Sequence, residues 1–98
     1  MARVDVSAAA RGDIDDIIGF SVERFGRDIT DRYIAGLDEL LGRLELYAEL
    51  GSPYVDVAPP LRAISYRSHK LYYDYDGAIV TIVRVLHQSA DASVALTN

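Results

Sequence analysis

The sequence lacks cysteine and tryptophan altogether, and it contains one lysine, two histidines and three prolines. The absence of cysteine excludes a disulfide framework, a thiolate metal site and a cysteine nucleophile. Two histidines are too few for a histidine-rich metal cage, so we expect neither a metal nor a cofactor. Long apolar runs are also absent, since none approaches the roughly 20 residues that a membrane-spanning helix requires. We therefore expect no membrane segment.

Half of the 98 residues are hydrophobic, which excludes a disordered acidic tail. This length suits one domain over residues 1–98. The opening residues, MARVDVSAAARGDID, lack the apolar stretch of a secretory signal, and we expect a cytoplasmic protein.

Negative charge is concentrated in the first half of the chain. Residues 1–51 contain six arginines and eleven acidic residues, whereas residues 52–98 contain four cations and four aspartates. Nucleic-acid binding depends on cations that neutralise phosphates, and the acidic half would repel such a ligand. We therefore expect no direct nucleic-acid binding.

The hydrophobic pattern predicts a short strand followed by two helices. Residues 3–6 suit the strand, Ser7 suits the N-cap of the first helix, and Gly26 suits its end. The second helix is predicted to start between Asp28 and Asp31 and to end before Gly51. The apolar residues at helical spacing in the first helix are Ile14, Ile17, Ile18, Val22 and Phe25. Those in the second are Tyr33, Ile34, Leu37, Leu40, Leu41, Leu44 and Tyr47 with Ala48.

Three further strands are predicted over residues 61–66, 69–75 and 78–87, after an irregular connection over residues 54–60. Asp76 and Gly77 suit a type I′ hairpin turn between the last two strands. The strand over residues 78–87 is apolar on both faces, which is typical of a central strand. Residues 61–66 and 3–6 are candidate edge strands, and residues 89–98 form either a short element or a frayed end.

These elements give an α+β fold of order β-α-α-β-β-β, in which a helical hairpin packs on a small antiparallel sheet. Strand alternation places Arg84 on the same face as Val80, Ile82 and Leu86, and His87 on the other face, unless a bulge intervenes. A cation within an apolar row needs a partner, because burying its charge alone is costly. Arg84 either pairs with an aspartate or carbonyl of its own chain, or lines a groove that another polypeptide completes.

The cations of the second half do not form a convincing ribonuclease site. Metal-free RNA cleavage needs a base, an acid and cations around the phosphate, and the chain contains these residue types. They fall on different predicted faces and have no fixed spacing. The residues concerned are Arg62, Arg67, Lys70, Arg84 and His87.

An ordered set of short motifs resembles the ParE branch of the ParE/RelE toxin superfamily. The set comprises Pro60-Leu61-Arg62, then His69-x-Leu71-x-Tyr73, then Ile82-Val83-Arg84-Val85-Leu86-His87 and a trailing Asp91. The resemblance covers nearly the whole chain. It implies a RelE/ParE-like fold and the toxin of a type II toxin–antitoxin module.

The resemblance further implies a protein that is not an enzyme and that poisons DNA gyrase by protein–protein contact. Its partner would be a cognate antitoxin with a ribbon-helix-helix DNA-binding part, which binds the toxin in a hetero-oligomer. Two alternatives remain open, namely a RelE-like ribosome-dependent mRNA endonuclease and an attenuated module that binds antitoxin without toxicity. The residues that we expect to contact the antitoxin or target are Arg62, Arg67, His69, Lys70, Tyr73, Arg84, His87 and Asp91.

Overall fold

A computed structural model of the chain describes residues 1–97, which form five strands and three helices. The α+β class and the core order of elements agree with the expectation. In chain order the elements are β1 (Arg3–Val6), α1 (Ala8–Phe25), α2 (Arg27–Leu46), β2 (Ser52–Tyr54), β3 (Leu61–Tyr66), β4 (His69–Tyr75), β5 (Ile79–His87) and α3 (Ala92–Thr97). Within these residues, no helix is both long and apolar enough to cross a membrane.

The five strands form one sheet in the order β1-β5-β4-β3-β2. The sheet is mixed rather than purely antiparallel, because β1 runs parallel to β5 while the other neighbours are antiparallel. The strand β2 was not predicted, because Gly51 and Pro53 were interpreted only as the end of the second helix and residues 54–60 as an irregular connection. A proline is tolerated in an outer strand, and β2 therefore replaces β3 as the edge.

The predicted apolar stripe of α2 forms the centre of the core. Its buried side chains pack against those of β4 and β5. Two residues depart from the predicted stripe: Tyr47 ends the helix and is exposed, and Ile34 is only partly buried and lies outside this cluster. The buried residues of this cluster are Ala10, Tyr33, Leu37, Leu40, Leu44, Ala48, Leu71, Tyr73, Val80, Ile82 and Val85.

Helix α1 follows its predicted pattern only in its first half. The hydroxyl of Ser7 accepts a hydrogen bond from the backbone N–H of Ala10 at 3.0 Å, so Ser7 is the N-cap as expected. Ile14 and Ile17 pack on the core, whereas Val22 and Phe25 are exposed. In the second half of α1 the contact with α2 is polar. The hydroxyl groups of Ser21 and Thr30 form a buried hydrogen bond of 2.7 Å.

A bulge in β5 changes the face that Arg84 occupies. Tyr73 lies opposite Ile82 while Tyr72 lies opposite Arg84, so β5 has one residue more than β4 between these rungs. Val85 consequently joins Val80 and Ile82 on the helix-covered face. Leu86 packs on the opposite face, and its predicted position beside Val80 and Ile82 is wrong.

The hairpin between β4 and β5 is not the predicted type I′ turn. Gly77 has a φ of +96°, but Asp76 does not have the positive φ that the first position of a type I′ turn requires. Asp76 instead accepts hydrogen bonds from the backbone N–H groups of Ala78 and Ile79 at 2.9 and 2.7 Å. These bonds lower the pKa of the Asp76 carboxyl below its usual value, and β5 begins one residue later than predicted.

The second face of the sheet is partly covered by the chain itself. Residues near the carboxyl end form α3, whose Ala92 packs on Tyr72 and Leu86. This small cluster also includes partly buried side chains of β2, β3 and α3, namely Tyr54, Leu61, Ala63, Ala95 and Leu96. This part of the sheet is therefore covered by α3 of the chain itself and does not need another polypeptide to complete it.

Candidate partner-binding cleft

A cleft of about 470 Å³ lies between the tip of the helical hairpin and the turn between β3 and β4. Its helical wall is largely apolar, and its strand wall carries cationic and imidazole groups. The lining residues are Asp16, Ile17, Phe20, Ser21, Phe25, Ile29, Tyr33, Arg67, Ser68, His69 and His87.

The hairpin tip exposes large apolar side chains beside this cleft. Phe20, Phe25 and Ile29 are 58%, 56% and 49% exposed, and all three line the cleft. A contiguous apolar patch of this kind usually marks an interaction surface. This patch was not predicted, because helical spacing alone does not show which apolar side chains remain exposed in the folded chain.

Two imidazole groups lie side by side at the strand wall. His69 and His87 are direct partners across β4 and β5, and their ring centroids are 5.5 Å apart in an edge-to-face arrangement. The bulge in β5 places His87 on the helix side of the sheet, which is the side that His69 faces from β4. Two residues that we predicted as contact residues on neighbouring strands therefore meet in the cleft.

Tyr33 connects the imidazole pair to the helical hairpin. Its hydroxyl lies 3.3 Å from Nδ1 of His69, and its ring packs against the His69 ring at 5.8 Å between centroids. Burial raises the pKa of Tyr33 to about 12, so its hydroxyl keeps its proton at neutral pH. The Ser68 hydroxyl lies 3.4 Å from the same nitrogen, so two hydroxyl groups are within hydrogen-bond distance of Nδ1 of His69.

Arg67 is held at the rim of the cleft by Tyr66. Its guanidinium lies over the Tyr66 ring at 5.6 Å from the centroid, and its Nε donates to the Tyr66 hydroxyl at 3.2 Å. Tyr66 in turn donates to the carbonyl of Tyr33 at 2.7 Å. Gly36 makes this arrangement possible, because a β-carbon at that position would overlap the Tyr66 hydroxyl.

We expect His69 to make the protein less stable in acid. Burial, and secondly the like charge of His87, lowers the pKa of His69 below its ordinary value of 6.5. The unfolded chain therefore binds this proton at a higher pH than the folded chain does. The free energy of unfolding is highest above pH 6.5 and falls as the pH drops below it.

The variant His69→Gln should lose this part of the pH dependence. Urea unfolding of both proteins at several pH values from about 7.5 down to about 5 gives the two slopes. A difference in free energy between wild type and variant that stays constant over this range would contradict the assignment.

Arg84 pairs with a carboxylate of its own chain, which is the first of the two interpretations left open by the sequence. Its Nε and Nη2 donate to the two oxygens of Asp13 in α1, at 2.7 and 2.9 Å. The paired side chains are 29% and 14% exposed. The hydrogen bond to Asp13 raises the pKa of Arg84.

Asp13 also accepts a hydrogen bond from the backbone of β5, beyond the residues that pair with β1. The pairing of β1 with β5 ends at Val6, and the next carbonyl and amide of β5 lack a strand partner. Ser7 donates its hydroxyl to the Val83 carbonyl at 2.9 Å, and Asp13 accepts from the Val85 N–H at 2.9 Å. The sequence reading missed Asp13, because nothing in its spacing relates it to a residue about 70 positions away.

Tyr73 is a core residue, and its prediction as a partner contact is corrected by its burial. Its side chain is 0% exposed, and its hydroxyl donates to the Ala48 carbonyl and accepts from the Gly51 N–H, both at 2.8 Å. A side chain enclosed in this way has no surface to offer another protein.

The remaining predicted contact residues lie outside the cleft. Arg62 donates to the Gly51 carbonyl at 2.8 Å and lies 3.6 Å from the carboxylate of Glu49. Asp91 accepts from the Ser93 hydroxyl and from the Val94 N–H, and these bonds lower its pKa and cap α3. Lys70 is exposed on β4 between the cleft-facing His69 and Leu71 of the core. Three of the eight predicted residues, Arg67, His69 and His87, converge in the cleft.

No group of three or more metal-ligating side chains within residues 1–97 is arranged to hold a metal ion. The imidazole pair is tied instead to hydroxyl and amide groups. Nδ1 of His87 accepts from the Ser89 N–H at 3.1 Å and lies 2.7 Å from the Ser89 hydroxyl.

Comparison with known proteins gives a consistent result. Residues 4–92 match the model of the family described as the ParE toxin of the type II toxin–antitoxin system, parDE. The chain is 30% identical over 91 residues to Toxin ParE1 of Mycobacterium tuberculosis, covering 92% of this chain and 93% of that protein. It is 31% identical over 91 residues to Toxin ParE1 of Caulobacter vibrioides, covering 93% and 94%.

The fold also matches a solved structure, described as the chromosomal ParDE toxin–antitoxin system from P. aeruginosa. The TM-score is 0.74 at 18% sequence identity, and the match covers 89% of this chain and 96% of that chain. The likeness supports the RelE/ParE-like fold that the sequence motifs implied.

Proposed function

The chain belongs to the ParE toxin family of type II toxin–antitoxin systems, and on that premise we propose that it inhibits DNA gyrase and is neutralised by a cognate antitoxin. The toxin would act by protein–protein contact in the cytoplasm rather than as an enzyme. The antitoxin would carry a ribbon-helix-helix DNA-binding part and form a hetero-oligomer with this chain.

The observation that carries the antitoxin proposal is the apolar hairpin tip beside a cationic strand wall. Phe20, Phe25 and Ile29 offer a surface for the apolar face of an amphipathic segment. Arg67, His69 and His87 suit an acidic residue on the same segment. The related P. aeruginosa structure is described as a ParDE toxin–antitoxin system, which supports a partner of this type.

The scattered positions of the cationic side chains support a toxin that acts by protein–protein contact. Arg62, Lys70 and Arg84 lie away from the cleft, and Arg62 and Arg84 are engaged by groups of their own chain. The gyrase target rests on the family resemblance.

One observation favours mRNA cleavage as a second candidate function. Arg67, His69 and His87 line the same cleft, and imidazole and guanidinium groups are the residue types that metal-free RNA cleavage uses. This convergence was not expected from strand alternation.

Expression of the chain without its partner separates these functions. Gyrase poisoning predicts linear plasmid in a cleavage assay with purified gyrase, together with an SOS response in cells. An mRNA endonuclease predicts cut transcripts and loss of translation, while gyrase supercoils normally. A chain that changes neither readout and leaves growth unaffected would be the attenuated antitoxin-binding module.

The cleft itself is tested by co-purification with the product of the neighbouring antitoxin gene. The variant Phe20→Asp should lose the partner, because it places a charge in the apolar patch. The control Val55→Asp makes the same change at a residue that is 70% exposed outside the cleft, and it should retain the partner. Equal recovery of antitoxin with both variants would contradict the cleft as the docking surface.

A further inference from the structure

We propose that Arg67 and the Nε2–H donors of His69 and His87 form a binding site for an oxyanion at the strand end of the cleft. The ligand class is a carboxylate or phosphate group. This inference deepens the proposed function and rests on it for the source of the ligand, because the same three side chains are proposed to bind an acidic residue of the antitoxin. The site itself is tested on the free chain, so a failed gyrase or antitoxin assay is distinguishable from a failed anion titration.

A hydrogen bond fixes the tautomer of the His87 ring. Nδ1 of His87 accepts from the backbone N–H of Ser89, so the proton of the neutral ring lies on Nε2. Nδ1 of His69 lies 3.3 Å from the Tyr33 hydroxyl and 3.4 Å from the Ser68 hydroxyl, and a hydroxyl that donates to Nδ1 leaves the proton of this ring on Nε2 too. In this tautomer each ring offers one Nε2–H donor to the anion.

The sheet brings these two donors together. His69 and His87 are direct cross-strand partners at the end of β4 and β5, with 5.5 Å between ring centroids. Side chains opposite each other across an antiparallel pair are near neighbours, and like charges there are unfavourable. An anion between the rings would offset that repulsion and favour the charged form of the pair.

The turn between β3 and β4 positions Arg67 beside the imidazole pair. Arg67 is the first of the two turn residues between the paired Tyr66 and His69, and its φ of +53° is the conformation that a tight hairpin turn requires there. Here the contacts with Tyr66 hold the guanidinium at the rim of the cleft.

The charged and titratable groups around the pair define where the anion would bind. Arg67 lies in the turn before β4, and Tyr33 faces the pair from α2. Tyr66, at the end of β3, accepts a hydrogen bond from Arg67. Asp16 lines the cleft from α1 and would repel an anion on the helical side. The site therefore lies against the strand wall.

Nuclear magnetic resonance of the free chain tests the proposal with simple anions, because the sequence contains only two histidines. The pH titration of His69 is recorded in sodium chloride, sodium sulfate and sodium acetate at equal ionic strength. We expect sulfate or acetate to raise the pKa of His69 by about half a unit relative to chloride, because a bound anion favours the charged imidazole.

The rank of the two anions identifies the ligand. A larger shift with acetate indicates a carboxylate side chain, and a larger shift with sulfate indicates a phosphate group. Equal titrations in all three salts would overturn the proposal.

Two matched variants distinguish a specific anion-binding site from a general effect of positive charge. Arg67→Asn removes the guanidinium but suits the left-handed backbone, and it should abolish most of the anion-dependent shift. Lys70→Gln removes one positive charge from a neighbouring position outside the cleft, and it should leave the shift intact. Equal losses in the two variants would show that net charge alone is responsible.

Discussion

Replacing Tyr73 with alanine is expected to lower the free energy of unfolding by about 3–5 kcal/mol, the usual cost of truncating a buried aromatic residue. The ring is fully buried among side chains of α2 and β5. Its hydroxyl also connects β4 to the segment after α2, through Ala48 and Gly51. Urea unfolding monitored by circular dichroism measures the loss.

Two further variants separate the contributions of the ring and the hydroxyl. Tyr73→Phe keeps the ring but leaves the buried Gly51 N–H without its acceptor, and should cost about 1–3 kcal/mol. Tyr47→Ala removes a tyrosine that is 64% exposed and should cost little. Similar unfolding midpoints for Tyr73→Ala and Tyr47→Ala would contradict the assignment of Tyr73 to the core.

Replacing Asp13 with alanine is expected to lower the free energy of unfolding by about 2–4 kcal/mol. The change leaves the guanidinium of Arg84 without its bidentate partner and the Val85 N–H without its acceptor. Partial exposure of Arg84 keeps the loss below that of a fully buried ion pair.

The matched control is Asp15→Ala, which removes an exposed carboxylate two positions away on α1. It should change stability by less than about 0.5 kcal/mol. If the two alanine variants unfold at the same urea concentration, the Asp13 contacts contribute nothing measurable to the fold.

Local sequence signals were sufficient for most of the architecture. The apolar stripe of α2 and the capping hydroxyl of Ser7 were predicted correctly, because both depend on residues within a few positions of each other. The motif order also indicated the toxin family that the comparisons then matched.

The departures come from interactions between distant residues. The alternation of side chains between the two faces is broken at the bulge in β5. Nothing local to residues 82–85 shows that β5 has one residue more than β4 there. Pro53 was interpreted only as the end of a helix, although a proline is also tolerated in an edge strand such as β2. The candidate cleft was half predicted, because Arg67, His69 and His87 were selected, whereas Phe25 was assigned to the apolar face of α1 and Phe20 and Ile29 were not selected.

The outer strands of the sheet have a consequence for the toxin after it leaves its antitoxin. On one side β1 has four residues, and beyond it Ser7 and Asp13 occupy the hydrogen-bonding groups of β5. On the other side β2 has three residues, of which Pro53 cannot donate a ladder hydrogen bond. Short, interrupted edge strands of this kind offer few free backbone groups with which a strand of another copy could pair. We therefore expect the liberated toxin to resist fibril formation, and any self-association to involve its helices.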